Sequence, residues 1–143
     1  MTEAVVLEQW LVGRILGAFP EPPPVYRSFI PMDVNKPAIV FEVLSGTDVL
    51  TQERFREYVD FEVDVFAVSA RGDRRFPHEQ SAALDKAITT GDAVRVAGAY
   101  AGVTGEWELT CDRIGVHAMP VLDDAGDYRM SGGRYALRVQ QVG

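Results

Sequence analysis

Residues 37–70 read PAIVFEVLSGTDVLTQERFREYVDFEVDVFAVSA, and this stretch predicts two long β-strands joined by a polar loop. Side chains alternate between the two faces of a strand, so every second residue shares a face. The apolar residues that share one face are Ile39, Phe41 and Val43 in the first strand and Val59, Phe61, Val63, Val65 and Ala67 in the second. Asp60, Glu62 and Asp64 fall on the opposite face. The stretch therefore predicts a sheet with an apolar face and an acidic face.

The chain has 143 residues, of which 47% are hydrophobic and 24% are charged, and its formal net charge is −7. This length and composition predict a single globular domain over residues 1–143. An acidic surface disfavours non-specific binding to nucleic-acid phosphates, which attract Lys and Arg. We therefore do not expect nucleic-acid binding as the main function, although an acidic wall past which DNA slides without sticking remains open.

Cysteine and histidine are scarce, since Cys111 is the single cysteine and His78 and His117 are the two histidines. An intrachain disulfide, a thiolate metal cluster and a multi-histidine site are therefore excluded. Cys111 alternates with apolar residues and predicts a core position, whereas His78 falls in the first turn of a predicted helix, at the surface. No serine or aspartate spacing around His117 marks a catalytic triad. We expect no catalytic residues, no bound metal and no cofactor.

Residues 3–18 predict the first helix, with Thr2 as its N-cap. This helix is apolar around most of its circumference, and Trp10 lies on it. Either the helix is buried wholly in its own domain, or part of its apolar surface contacts another subunit. Its acidic start and its interrupting charges match neither a signal peptide nor a membrane span. We therefore expect a soluble, intracellular protein without membrane contact.

The rest of the chain predicts one more helix and two more strands. The second helix begins near Pro77 and closes at Gly91, a favourable residue just beyond a helix end. The third strand runs over residues 106–119, and its alternation slips at residues 113–115, which indicates a β-bulge. The last strand covers residues 134–142, where apolar and polar side chains again alternate.

The connecting segments are rich in turn-forming residues. Residues 20–37 hold six of the eight prolines and predict an extended connector. A polar loop is expected from Ser45 to Arg54, a turn at residues 123–126 and a flexible MSGG stretch at residues 130–133. A short strand at residues 94–97 is optional.

These elements give the order α-β-β-α-β-β. We therefore predict an α+β fold with a mostly antiparallel four-stranded sheet and both helices packed on one face. The acidic residues Asp60, Glu62 and Asp64 offer two interpretations. They form either a site for Mg²⁺ or Ca²⁺, which prefer oxygen ligands, or a polar face turned to solvent or to another subunit.

The two strands also resemble a known family. Residues 37–46, from Pro37 to the Ser-Gly pair, and residues 59–67, VDFEVDVFA, resemble the paired strands of the tail terminator proteins of long-tailed bacteriophages, the minor-tail-protein-U-like tail completion family. In that family, as in this chain, a helix precedes the strands, a helix with small residues follows them (here residues 79–88, EQSAALDKAI), and two more strands finish the domain.

The resemblance implies a structural protein of the virion tail that assembles in the host cytoplasm as a homo-hexameric ring. Such a ring caps the tail tube, ends its polymerisation and joins it to the head-completion or connector proteins, while DNA passes through the lumen. A ring is a closed heterologous assembly, in which each subunit presents two different complementary patches.

On this reading, the loop from Ser45 to Arg54 faces the tail tube, and the acidic strand faces the lumen or the next subunit. The expected interface residues are Trp10, Thr47, Asp48, Val49, Gln52 and Arg54, and the acidic strand residues are Asp60, Glu62 and Asp64. A head–tail connector or another tail adaptor is the alternative within the same setting. The alternatives from other classes are a small metal-dependent enzyme built on the acidic strand and a soluble ligand-binding domain.

Overall fold

The computed structural model describes residues 2–28, 37–49, 58–69, 76–97, 105–123 and 126–142. Two helices and six strands lie in these ranges. In chain order they are α1 (Thr2–Gly17), β1 (Val25–Arg27), β2 (Ala38–Val49), β3 (Tyr58–Val68), α2 (Phe76–Ile88), β4 (Val94–Ala97), β5 (Glu106–Asp123) and β6 (Gly126–Gln141).

The six strands form a single mixed sheet in the order β1-β2-β3-β6-β5-β4, curled into a half-barrel. β1 runs parallel to β2, and every other neighbouring pair is antiparallel. The fold is α+β, but the predicted four-stranded antiparallel sheet is wrong, because a short strand is added at each edge.

The two added strands are short and carry weak sequence signals. β1 lies in the proline-rich segment that predicted only a connector, and Val25 pairs with Ile39 there. The Pro24 carbonyl accepts a hydrogen bond from the Ile39 amide at 2.8 Å. A proline lacks an amide donor but keeps this acceptor, so it does not prevent a parallel edge pairing. β4 corresponds to the optional strand at residues 94–97.

The last strand is longer than predicted. β6 begins at Gly126, so the MSGG stretch, which predicted flexibility, lies inside the sheet between β3 and β5. Gly132 and Gly133 allow close approach there, because a Cβ atom on Gly132 would lie 1.9 Å from the Val65 carbonyl oxygen. The glycines that indicated a loop are instead required by the packing of neighbouring backbones.

In the β2–β3 pair, the predicted apolar residues share one face, but the loop predicted between the two strands begins later than expected. β2 continues to Val49, so the first half of the expected loop at residues 45–54 is strand, and residues 50–57 lie outside the described part. A register shift between Val43 and Ser45 marks a β-bulge in β2. The bulge predicted at residues 113–115 of β5 is confirmed by a second register shift between Arg113 and Gly115.

Both helices pack on the same face of the sheet, which we call the inner face; the opposite one is the outer face. The helix residues in the hydrophobic core are Val6, Leu7, Trp10, Leu11, Ile15, Leu84 and Ile88. The strand residues that meet them include every apolar residue predicted for the inner face of β2 and β3, together with Val96, Trp107, Leu109, Cys111, Tyr135, Leu137 and Val139. The alternation in the sequence thus correctly identified the core face.

Helix α1 buries most of its apolar residues in its own domain, and Trp10 is 8% exposed. Leu16 is 44% exposed near its end. The second helix begins one residue before the predicted Pro77, and Gly91 adopts the left-handed conformation (φ +69°) three residues after the helix ends. Within the described ranges, neither helix has the length and apolar character needed to cross a membrane.

Replacing Gly132 with alanine tests the close approach of β6 to β3. The added methyl group would overlap the Val65 carbonyl, and backbone on both strands would have to move, so we expect Gly132→Ala to lower the free energy of unfolding by about 3 kcal/mol or more. Gly13→Ala is the matched control, because open space surrounds that helical position, and it should add about 0.5–1 kcal/mol. Urea denaturation measures both values; equal stability of the two variants would contradict the register.

Candidate functional site: the outer face of the sheet

The acidic strand lies on the outer face, with each of its aspartates opposite an arginine of β6. The register pairs Asp60 with Arg138 and Asp64 with Arg134. The Arg134 guanidinium donates hydrogen bonds from Nε at 2.9 Å and from Nη2 at 3.3 Å to the two carboxylate oxygens of Asp64. The Arg138 guanidinium makes the same two-pronged contact with Asp60, at 3.0 and 3.5 Å. Two cross-strand ion pairs therefore occupy the centre of this face.

The two pairs differ in exposure. The Asp64 side chain is 12% exposed and that of Asp60 is 44% exposed. The hydrogen bond to Asp64, together with its negative charge, raises the pKa of Arg134. Arg138 also lies over the Tyr58 ring, 3.9 Å from its centroid, which is a cation–π distance. Arg134 and Arg138 are thus held in place at the surface by carboxylates and, for Arg138, by an aromatic ring.

Glu62 lies between these two pairs and faces the small residue Ala136 on β6. It is exposed, and no ion pair joins it to any residue in the described ranges. Further out on the same face, Arg95 of β4 pairs with Glu106 at 2.9 Å and with Glu108 at 3.6 Å. Carboxylates outnumber guanidinium groups across this surface, which carries Glu42, Asp60, Glu62, Asp64, Glu106, Glu108 and Asp112 against Arg95, Arg134 and Arg138.

The metal-site hypothesis gains no support from this geometry. No group of three His, Cys, Asp or Glu side chains among the described residues lies close enough to hold a metal ion. Asp60 and Asp64 direct their oxygens to guanidinium groups, whose positive charge would repel a cation. The outer face is therefore a net negative surface, on which two ion pairs hold the aspartates in place and Glu62 lies between them.

The remaining predicted interface residues fall in three places. Trp10 lies in the core, and Arg14 stacks over its ring at 5.7 Å from the centroid. Thr47, Asp48 and Val49 lie at the end of β2 instead of in a loop, with Thr47 and Asp48 exposed. Gln52 and Arg54 lie outside the described residues.

A second polar cluster, which local sequence patterns did not reveal, lies on the inner face beside helix α2. The Tyr135 hydroxyl donates a hydrogen bond to Asp85 at 3.0 Å, and Arg113 lies 3.6 Å from the same carboxylate. Burial, with the charge of Asp85, raises the pKa of Tyr135. These residues come from α2, β5 and β6, so only the strand register could have brought them together. They anchor the helix to the sheet.

The predicted core position of Cys111 is confirmed, because its side chain is fully buried. Burial raises the pKa of the Cys111 thiol to about 12, and the charges of Asp112 and Asp85 act in the same direction. A thiol with so high a pKa is a poor nucleophile. His78 is exposed as predicted, and its Nδ1 lies 3.3 Å from the buried Ser131 hydroxyl. The His117 side chain lies outside the described part.

No protein-family model matches the chain, and no curated protein matches its sequence.

The two raised pKa values predict a specific loss of stability in alkali. Cys111 and Tyr135 hold their protons more tightly in the folded chain than in the unfolded chain. Above the ordinary pKa of a thiol, about 9.0, the unfolded chain loses a proton that the folded chain retains, so stability falls as pH rises from 9 towards 12. The slope is up to about 1.4 kcal/mol per pH unit for each group.

Urea midpoints measured between pH 7 and pH 11 test this expectation. Tyr135→Phe should be less stable than the wild type at pH 7, because it loses the hydrogen bond to Asp85, but its stability should fall less steeply above pH 10, the ordinary pKa of a tyrosine. A wild-type midpoint that stays constant up to pH 11 would contradict the protonated state of both groups.

Proposed function

We propose that this chain is a structural tail protein of a bacteriophage, which forms a ring on the end of the tail tube, ends its polymerisation and joins it to the head-completion proteins. The supporting observation is the position of the two stretches that carry the resemblance to tail terminators. They form adjacent antiparallel strands, with Val63 opposite Val43 on the inner face and Asp64 opposite Glu42 on the outer face. One face of this unit is closed by helices, and the other presents charge.

The outer face suits a surface that DNA passes without binding. Asp60 and Asp64 hold Arg138 and Arg134 in two-pronged ion pairs, so these cations are already engaged before a phosphate arrives. Glu62 adds negative charge between them, and the acidic residues of β5 extend it. A net negative wall repels phosphates and keeps DNA moving. In the ring we therefore place the outer face towards the lumen.

In this role, the partners are five further copies of the chain, the tail-tube protein and a head-completion or connector protein. DNA is a passing occupant of the lumen, and the working location is the virion tail after assembly in the host cytoplasm. The exposed end of β2, with Thr47 and Asp48, is the part of the described chain that we assign to the tail-tube side.

Solution mass and imaging test the ring directly. We expect light scattering across a concentration series to reach the mass of six copies, and negative-stain images to show a closed ring with a central hole. Added to polymerising tail-tube protein from the same phage, the ring should cap the tube and shorten it. A stable compact dimer, or tubes whose length is unchanged, would overturn the proposal.

Charge reversal at Glu62 tests the lumen assignment. Asp60 and Asp64 are unsuitable for this test because a lysine there would face an arginine, whereas Glu62 faces Ala136. We expect Glu62→Lys to leave folding and ring formation intact and to slow DNA release from assembled particles by about tenfold, an order-of-magnitude expectation for a local charge effect. Asp92→Lys, an equal charge change in an exposed turn, is the control and should behave as wild type. Rings that fail to form with Glu62→Lys would instead place this residue between subunits.

A further inference from the structure

Within the described ranges, a short strand covers only one end of each edge of the sheet. β1 pairs with residues 39–41 of β2, and β4 pairs with residues 106–109 of β5. On the side away from β3, no described strand pairs with residues 42–49 of β2; on the side away from β6, none pairs with residues 112–116 of β5. We call these the open segment of β2 and the open segment of β5. Exposed strand edges present unpaired amides and carbonyls, which another strand can bind.

Both open segments contain a β-bulge whose extra residue is a large, exposed hydrophobic side chain. In β2 this residue is Leu44, between Val43 and Ser45, and it is 40% exposed. In β5 it is Ile114, between Arg113 and Gly115, and it is 54% exposed. Val116, two residues further along β5, is 64% exposed. Exposed apolar side chains thus concentrate where an edge of the sheet has no described neighbouring strand.

The part of β2 that β1 covers and the part of β5 that β4 covers lie at opposite ends of the sheet. Phe41 of β2, which lies beside β1, aligns across the sheet with Val65 of β3, Gly133 of β6 and Val116 of β5. The end of β2 that β1 covers is therefore at the same height as the open segment of β5. β4 covers the opposite end of β5. The two open segments are therefore diagonal to each other, one on each side of the same sheet, and both are accessible to a neighbouring molecule.

We propose that the open segment of β2 in one copy pairs with the open segment of β5 in the next copy, so that subunits join head to tail through a continuous sheet. The inference rests on the proposed ring and identifies the surfaces that build it. β2, β3, β6 and β5 alternate in direction, so a neighbour in a similar orientation brings its β5 antiparallel to β2. Antiparallel pairing is the commoner arrangement of neighbouring strands.

Charge complementarity favours a second copy of this chain as the occupant. Asp48 lies on the inner face of the open segment of β2, since it pairs with Val59. Arg113 lies on the inner face of the open segment of β5, since it pairs with Tyr135, and its side chain is 44% exposed. Its Nη1 contacts Asp85, and because a guanidinium has five N–H donors it is able to bind a second acid as well. A head-to-tail junction places this acid and this base on the same side of the joined sheet. Pairing two β5 strands about a two-fold axis would bring two Arg113 side chains together and leave Leu44 uncovered.

Lysine substitutions at the bulges test the junction, because both positions are exposed and should tolerate lysine in the folded subunit. We expect Leu44→Lys and Ile114→Lys each to raise the dissociation constant for self-association on the order of 100-fold. Leu16→Lys is the matched control, since Leu16 is similarly exposed but lies on helix α1, and it should associate as wild type. Thermal unfolding and circular dichroism show that each variant is folded, and sedimentation velocity measures the association.

Mixing the two variants distinguishes head-to-tail from two-fold pairing. The Leu44→Lys chain keeps an intact open segment of β5, and the Ile114→Lys chain keeps an intact open segment of β2. We expect each variant alone to be monomeric and the mixture to form one-to-one dimers, seen by native mass spectrometry. Dimers of Leu44→Lys alone would overturn the head-to-tail junction, as would a mixture that stays monomeric or a wild type that does not self-associate.

The junction and the proposed function fail separately. Closed rings that persist in both lysine variants would overturn the junction and leave the ring function standing. Association that depends on Leu44 and Ile114 but yields only open chains would support the junction and overturn the ring. In that case the bulges join copies of this chain into an open assembly instead of a ring.

Discussion

The pairing of β3 with β6 is the contact on which the rest of the structure depends. β3 lies between β2 and β6, and its inner residues from Val59 to Ala67 contribute to the core under both helices. The approach to β6 is close enough that position 132 has room only for glycine, beside the Val65 carbonyl. The same register sets Arg134 and Arg138 opposite Asp64 and Asp60. One pairing therefore fixes both the apolar inner face and the charged outer face.

Features with a local pattern could be predicted from the sequence. Alternation identified the inner faces of β2 and β3, the broken alternation located the bulge at Ile114, and apolar neighbours placed Cys111 in the core. The predicted helices are also present, with bounds that differ by one to three residues. In each case, the side chains that define the feature are only a few residues apart, so their spacing alone carries the information.

Features that depend on distant residues could not be predicted in this way. Arg134 and Arg138 lie 70 and 78 residues along the chain from their aspartates, and no spacing rule links such positions. The sequence does not indicate strand β1, because its three residues follow prolines. The MSGG stretch predicts a flexible segment, because glycine usually weakens strands. The sequence leaves the acidic strand as either a metal site or a polar face, and the two arginines that pair with its aspartates favour the polar face.

The chain thus presents two kinds of surface with different physical roles. The outer face has its aspartates paired with arginines and is net negative, which suits a wall that does not bind polyanions. The open segments of β2 and β5 combine an edge without a described neighbouring strand with the exposed side chains of Leu44, Ile114 and Val116, which suits contact with another copy. In the proposed assembly, subunit contacts at the sheet edges would leave the charged face uncovered.

Amide hydrogen exchange at several protein concentrations tests the joining of sheets most directly, because it reports on the two edges separately. We predict that residues 42–49 and residues 112–116 both become protected as concentration rises, while helix α1 exchanges at an unchanged rate. Exchange at both edges that is independent of concentration, in a sample shown to associate, would contradict edge-to-edge assembly and place the contact elsewhere on the molecule.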